Sequence, residues 1–115
     1  MKSVDYKTVE LEDFSAPGAK GAGIRWLISE ADGAENYAMR MIELEPGGQS
    51  PSHTHGSEHE VFVWRGQGEV RLEGAAHPLA PGTVVFVPPD VHHQFVNTSD
   101  RERIEFICVI PIERK

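Results

Sequence analysis

The chain has 115 residues, near the usual size of a single domain, and its 39% hydrophobic and 25% charged residues are typical of a globular protein. This composition argues against a disordered chain, a collagen-like chain and a membrane-spanning chain. A formal net charge of -7 with only 11 Lys and Arg disfavours nucleic acid as a partner, because phosphate binding requires clustered basic side chains. We therefore expect a small molecule or another protein as the partner.

The sequence indicates one domain over residues 1-115, because no Pro/Ser-rich linker, internal repeat or low-complexity stretch divides it. Cys108 is the only cysteine, so no internal disulfide can form. The first residues, Met1 to Asp5, lack the apolar run of a secretory signal. These features predict a cytoplasmic protein.

Short segments between Gly and Pro residues predict an all-β fold. Many of these segments are β-branched or aromatic, and no long stretch repeats apolar residues at helical spacing. In chain order we predict strands at 6-11, 23-29, 36-44, 50-56, 59-65, 68-72, 76-79, 83-87, 92-97 and 103-110. Their even spacing indicates a sandwich or a barrel.

Histidines are concentrated in two places, at His53, His55 and His59 and at the pair His92-His93. In an extended chain side chains repeat every two residues, so His53 and His55 project from one face and can reach one ion. Neutral imidazole suits Zn, Cu, Fe, Ni and, in a mixed ligand set, Mn, whereas Ca and Mg prefer oxygen ligands. The pattern favours a divalent transition metal, although a His-x-His pair alone is equally typical of a polar surface.

Two motifs resemble those of the cupin superfamily. The first runs Gly, five residues, His-x-His, three or four residues, Glu, six residues, Gly, and it is matched here by Gly47, His53-Thr54-His55, position 59 and Gly66. The second runs Gly, five residues, Pro-x-Gly, two residues, His, three residues, Asn, and it is matched by Gly82, Pro88-Pro89-Asp90, His93 and Asn97. The resemblance implies a small single-domain cupin with motif 1 at 47-66, motif 2 at 82-97 and a double-stranded β-helix, or jelly-roll, barrel.

The chain departs from the two motifs at two positions. Asp90 replaces Gly, which the turn should accept because Asp tolerates the left-handed conformation better than most residues. His59 replaces the Glu that most cupins use as a metal ligand. Either His59 ligates and keeps the spacing to Gly66, or Glu60 ligates and shortens it, and strand alternation makes these assignments exclusive.

We favour His59, since the stretch is similar to that of small four-histidine cupins. The resemblance then implies one divalent transition metal held by His53, His55, His59 and His93. We expect Mn or Fe before Ni, Co, Cu or Zn. A closed tetrahedral zinc site built from the same residues is the structural alternative.

Four more residues are candidates for the wall of the metal cavity, although no catalytic residue is assigned. Phe95 shares the strand face of His93, and Phe106 and Cys108 share the face opposite Glu105. We place that face inside the barrel because an unpaired Glu in an apolar interior costs several kcal/mol. Glu60 is the fourth candidate, as the nearest carboxylate. A small buried hydrophobe is the commoner role for a free cysteine such as Cys108.

Arg40 alternates with Met39 and Met41 in the predicted strand 36-44, and the pattern does not fix which set points inward. An inward Arg40 could meet an anionic substrate, but a surface salt bridge is the more usual role of such a residue.

Four imidazoles leave the charge of a divalent ion uncancelled, so we expect an anionic small-molecule ligand. The expected function is a metal-dependent oxidoreductase, similar to a dioxygenase or a decarboxylase, acting on a small oxygenated molecule. The alternatives are a non-catalytic small-molecule-binding or storage cupin and a metal-assisted sugar or keto-acid isomerase. Because small cupins commonly cover open sheet edges with a second copy, we also predict a homodimer that exchanges its N-terminal strands.

Overall fold

A computed structural model describes residues 1–113, and nearly all of its regular structure is β-sheet. The strands are β1 Glu12–Asp13, β2 Lys20–Ile28, β3 Tyr37–Gln49, β4 His59–Arg65, β5 Gly68–Leu72, β6 Ala75–Leu79, β7 Val84–Val87, β8 His93–Val96 and β9 Ile104–Pro111. Two short 3-10 turns lie at Tyr6–Thr8 and Glu30–Asp32. The predicted all-β class is confirmed. No helix within residues 1–113 has the length and hydropathy needed to cross a bilayer.

The strands form one curled antiparallel sheet in the order β6-β5-β8-β3-β9-β4-β7, with β2 on β3 and β1 on β2. The long strand β3 is the centre of this arrangement, because it pairs with β2, β8 and β9. In its register with β9, Arg40 lies opposite Cys108 and Glu43 lies opposite Glu105. These two cross-strand pairs lie on opposite faces of the sheet.

Two predicted strands are absent from the structure. Segment 6-11 begins instead with the 3-10 turn Tyr6–Thr8, which the Asp5 carboxylate caps by accepting a bond from the Lys7 amide at 2.9 Å. Segment 50-56 makes a single bridge, between His53 and His93. Pro51 has no amide hydrogen to donate to a ladder, so this segment crosses the sheet as a loop.

Strand β3 is longer than predicted, because it continues through a Pro-Gly-Gly sequence that reads as a turn. The register with β2 shifts between Lys20 and Ala22, so the extra residues are absorbed in a bulge. A Cβ at Gly48 would lie 2.8 to 2.9 Å from three backbone oxygens. Glycine is therefore required where the two strands approach closely.

The barrel interior is filled by the inward faces of β3, β4 and β9. Its buried members are Ile42, Leu44, Val61, Val63, Ile104, Phe106 and Cys108, with Ile24, Val70, Val87 and Phe95 from neighbouring strands. The rings of Phe95 and Phe106 stack with centroids 4.5 Å apart. The prediction that the Phe106-Cys108 face points inward is confirmed.

The outward face of β4 and its neighbour β7 is apolar and exposed. Phe62, Trp64, Val84 and Phe86 keep 45%, 49%, 73% and 54% of their surface accessible. We call these four residues the outer apolar face.

Charged residues on the outward face of β3 and β9 are buried. Glu43 and Glu105 are 3% and 1% exposed, and they contact Arg25 and Arg103. Tyr6 closes the cluster by donating its hydroxyl hydrogen to Glu105 Oε1 at 3.3 Å. Glu105 therefore lies outside the barrel, as predicted, but is covered by the N-terminal segment. We call these charged residues, together with Arg65, the outer charged cluster.

Candidate metal centre

Four imidazole rings converge at one end of the barrel. The ring centroids of His55 lie 3.9 Å from His53, 4.6 Å from His59 and 5.3 Å from His93. Those of His93 lie 5.0 Å from His53 and 5.4 Å from His59. Ligating nitrogens of His53, His55 and His93 all lie within 4.8 Å of one another. The structure therefore brings the four predicted residues together, with three of them forming the tighter group.

Backbone hydrogen bonds hold the histidine loop against β8. The His53 and His93 amides each donate to the other's carbonyl, at 3.2 Å and 3.0 Å. The Asp90 amide donates to the His55 carbonyl at 2.6 Å. Asp90 itself has a φ of 66°, so the residue that replaces Gly in the second motif adopts the left-handed conformation. The two motifs are thus joined at the residues that carry the imidazoles.

Two contacts indicate which ring nitrogens are available as metal ligands. His93 Nδ1 lies 2.9 Å from the Val91 carbonyl oxygen, which can only accept, so this nitrogen carries the hydrogen and Nε2 is free to ligate. The Nε2 atoms of His53 and His55 face each other at 2.8 Å. In neutral rings one of these nitrogens must donate to the other, whereas a cation would accept both lone pairs. The donor set therefore fits a metal ion.

His59 and Glu60 lie on opposite faces of β4. His59 is 5% exposed and its Nδ1 is 3.7 Å from Cys108 Sγ, inside the barrel. Val61 and Val63 follow it inward, while Glu60 is exposed beside the outer apolar face. The candidacy of Glu60 as a cavity residue is therefore corrected, because strand alternation turns its carboxylate away. The role of His59 as a fourth ligand stays a prediction.

A small inner cavity of about 20 Å³ lies beneath the histidines. The other three predicted wall residues, Phe95, Phe106 and Cys108, line it. Burial raises the pKa of the Cys108 thiol, so this side chain is a neutral wall residue.

Arg40 also lines this cavity. The sequence had not decided whether its side chain points inward or outward. Its Nη2 donates to Cys108 Sγ at 3.0 Å, and its guanidinium lies 5.6 Å from the Trp26 ring centroid. Within residues 1–113 Arg40 makes no salt bridge, and its buried Nε has no hydrogen-bond partner. The expected surface salt bridge is therefore wrong. The signal was the even-numbered alternation of Arg40 with Ile42 and Leu44, two residues suited to a core.

Burial lowers the pKa of all four imidazoles. It brings the pKa of His53 to about 4 and that of His59 to about 3, with neighbouring rings and the Arg40 guanidinium adding smaller effects in the same direction. The pKa values of His55 and His93 are also lowered, again mainly by burial. Because a positive charge is disfavoured on each ring, all four are neutral near pH 7 and can offer lone pairs.

A larger cavity of about 330 Å³ opens above the centre. Trp26, Arg40, His55 and His59 lie on its wall. Apolar side chains from the end of β9 and the following residues, including Ile110 and Ile112, complete one side. This volume is at the lower end of the range for small-molecule sites. We call it the mouth cavity.

Comparison with known proteins places the chain in a family. The cupin domain model matches residues 40–110. Protein SchB of Streptomyces halstedii is 34% identical over 104 residues, covering 89% of this chain and 75% of its own length. Polyketide synthase CurC of Streptomyces cyaneus is 30% identical over 117 residues, covering 100% of this chain and 76% of its own length.

Among solved structures, the polyketide cyclase RemF from Streptomyces resistomycificus superposes with a TM-score of 0.91 at 34% identity. The match covers 99% of this chain and 81% of RemF. The predicted jelly-roll barrel is confirmed by this likeness. Because sequence motifs, family model and fold agree along most of its length, the chain belongs to the cupin family.

Proposed function

We propose that this chain is a metal-dependent cupin enzyme that promotes ring closure of a polyketone-like substrate. The observation that carries the proposal is the convergence of four neutral imidazoles, two of which, His55 and His59, line the mouth cavity. The likeness to RemF, a polyketide cyclase, supports this class of substrate. Ring closure replaces the oxidoreductase reaction that the sequence favoured, because none of the similar proteins above is described as an oxidoreductase.

The chemistry of ring closure suits a site with four neutral ligands. A bound divalent ion would polarise a carbonyl and favour its enolate form. A carbon-carbon bond then forms between the enolate carbon and a second carbonyl carbon, and the proton lost at the first centre is regained by the new alkoxide oxygen. No oxidant or reductant is consumed in this sequence.

Residues of this chain supply binding and orientation. His53, His55, His59 and His93 would hold the ion, and the Val91 carbonyl fixes the His93 ring so that Nε2 faces inward. Trp26 and Ile110 give the mouth cavity an apolar wall. Such a wall favours binding of a partly apolar substrate in a folded conformation, in which the reacting carbons lie close together.

Metal content is the first test. Elemental analysis of protein purified without added metal should give about one divalent ion per chain, and His59→Ala should lower this content sharply. Glu60→Ala is the matched control, since Glu60 lies on the opposite face of the same strand, and it should retain the metal. Metal retained in His59→Ala but lost in Glu60→Ala would reverse the ligand assignment.

Turnover is the second test. Metal-loaded protein should accelerate cyclisation of synthetic linear poly-β-ketones, followed by the ultraviolet absorbance of the cyclic product, without consuming O2. Oxygen uptake together with bound Mn or Fe would instead support the oxidoreductase expected from the sequence. A metal-loaded protein that leaves a panel of these ketones unchanged would contradict the cyclase.

We also propose that a second copy of the chain covers the outer apolar face, giving the predicted homodimer. Its three half-exposed aromatic side chains offer on the order of 300 Å² of apolar area, out of about 800 Å² that each partner buries in a standard interface. Exchange of N-terminal strands is less supported, because residues 6-11 form no strand and β1 pairs with its own β2. Light scattering should give a dimer for the wild type and a monomer for Phe86→Glu; a dimer in both would contradict this face.

A further inference from the structure

Arg40 carries a positive charge that the described part of the chain does not balance. No carboxylate lies within ion-pair distance of it in residues 1–113, and its Nε is buried without a hydrogen-bond partner. Within residues 1–113 the one hydrogen bond of the guanidinium is to Cys108 Sγ, a weak acceptor. A charge in this position is costly unless a partner is supplied.

The surroundings of Arg40 make the imbalance larger. The four imidazoles nearby are neutral, and a divalent ion held by them would add two further positive charges beside the guanidinium. Glu30 and Glu113 line the same mouth cavity but form no salt bridge with Arg40. A bound anion would supply the ion-pair partner that Arg40 lacks.

The wall beside Arg40 indicates the shape of that molecule. Trp26 lies directly across from Arg40 in the β2–β3 register, and its ring packs against the guanidinium at 5.6 Å. Ala38, Ile110 and Ile112 extend the apolar surface along the cavity. A ligand that fits has an anionic group next to a flat apolar body.

We propose that Arg40 is the anion-binding residue of the mouth cavity, and that the site takes a planar molecule bearing a carboxylate or enolate oxygen. Arg40 lines the mouth cavity without an ion-pair partner in residues 1–113, so the N–H donors of its guanidinium that face this cavity can bind an oxygen of such a group. This inference rests on the proposed function, since it concerns the same cavity. It gives Arg40 a role in substrate specificity that is separate from the role of the metal ligands.

The test compares two probes that differ in charge and share a shape, benzoate and benzamide. Binding to metal-loaded protein is followed by fluorescence in a Trp64→Phe background, where Trp26 is the one remaining tryptophan and reports the mouth cavity. Benzoate should bind about tenfold more tightly than benzamide, which is the scale of a hydrogen bond to a charged group. Arg40→Gln should weaken benzoate severalfold and leave benzamide unchanged, so that only the preference supplied by the metal ion remains.

Arg101→Gln is the matched control, because Arg101 is 90% exposed and removal of its charge leaves the cavity intact. It should keep the full preference for benzoate. If Arg40→Gln does not fold, Arg40→Lys serves instead, since it keeps the charge but loses the guanidinium N–H donors and should weaken benzoate severalfold without affecting benzamide. A wild type without preference, or either Arg40 variant with an unchanged preference, overturns the proposal.

Failure of the cyclase and failure of the Arg40 site can be told apart. The probe experiment requires no turnover, so a preserved benzoate preference with no ring closure refutes the proposed reaction alone. Ring closure in the absence of any benzoate preference refutes the role of Arg40 alone.

Discussion

Two groups of polar residues lie on opposite faces of β3 and β9, and they differ in charge balance. In the outer charged cluster, Glu43 and Glu105 face each other across the strands, and Arg25 and Arg103 lie within 2.5 to 3.5 Å of their oxygens. In the metal centre, three residues away along the same strands, Arg40 lies opposite Cys108 and has no carboxylate within ion-pair distance among the described residues. The carboxylates of the outer charged cluster are ion-paired within the described residues, although Glu43 Oε1 accepts no hydrogen bond there, whereas Arg40 has no ion-pair partner.

The difference indicates separate roles for the two groups: the paired charges support the fold, and the unpaired Arg40 suits ligand binding. Buried charges that are paired and hydrogen-bonded hold segments of a fold in register, and here they attach the N-terminal residues to the sheet. An unpaired guanidinium beside neutral imidazoles contributes little to folding by itself. Its position is explained more simply by a ligand that arrives after folding.

The largest expected effect comes from removing an arginine from each group. Arg25→Met leaves the Glu43 carboxylate without its closest cation and removes a bond from Arg25 Nη1 to the Val9 carbonyl. We expect a loss of about 3 kcal/mol in the free energy of unfolding. Arg40→Met removes a charge that has no ion-pair partner, so the free energy of unfolding should stay the same or rise.

Urea unfolding of the two variants under chelating conditions provides the measurement. Omitting metal and ligand matters, because a bound ion would add its own contribution to stability. Equal losses in the two variants would show that Arg40 also stabilises the fold, and the distinction between the groups would fail.

The next effect concerns the metal centre alone. At free metal about 100 times its dissociation constant, binding to the folded form adds about 2.7 kcal/mol, so a chelator should lower the melting temperature by several degrees. His93→Ala should abolish most of this difference, because it removes the ligand that the second motif supplies. Its neighbour His92 is exposed on the other face, so His92→Ala should respond to chelator like the wild type. Identical wild-type curves with and without chelator, for a sample shown to hold metal, would contradict the prediction.

The last effect is a pH dependence of the metal-free protein. The pKa values of His53 and His59 are about 4 and about 3 in the folded chain and near 6.5 when unfolded, so below pH 6.5 the unfolded chain binds protons that the folded chain refuses. Stability therefore falls as pH falls from about 6.5 towards 4, by up to about 1.4 kcal/mol per unit for each fully buried ring. The half-buried His53 should contribute less than His59.

Melting curves at pH 7.5, 6.5 and 5.5 with chelator present test this slope. His59→Gln keeps a polar side chain of similar size but cannot titrate, so its slope should be shallower than that of the wild type. A melting temperature independent of pH in the wild type would show that the rings accept protons freely in the folded protein.

Local patterns predicted much of this molecule. The segments 59-65 and 68-72 coincide with β4 and β5, because alternation and flanking glycines define strands that pair with near neighbours. The motif spacing likewise identified the four histidines. Both signals depend on residues close together in sequence.

Long-range packing explains what the sequence left undecided. Arg40 faces inward with Ile42 and Leu44, and although residues 36-44 carry this alternation, closure of the whole barrel decides which face of the strand is covered. Glu105 is buried because the distant Tyr6 lies over it. Segment 50-56, predicted as a strand, contains Pro51 and Gly56 and makes only a single bridge in the structure.

The reciprocal amide bonds between His53 and His93 have a consequence for the thermodynamics of metal capture. They fix two imidazole-bearing backbones before any ion arrives, and the Asp90–His55 bond fixes a third. Most of the conformational entropy of these residues is therefore lost during folding, so binding itself requires little further ordering. The backbones that carry the metal ligands are therefore in place before the ion binds, and metal binding should move them little.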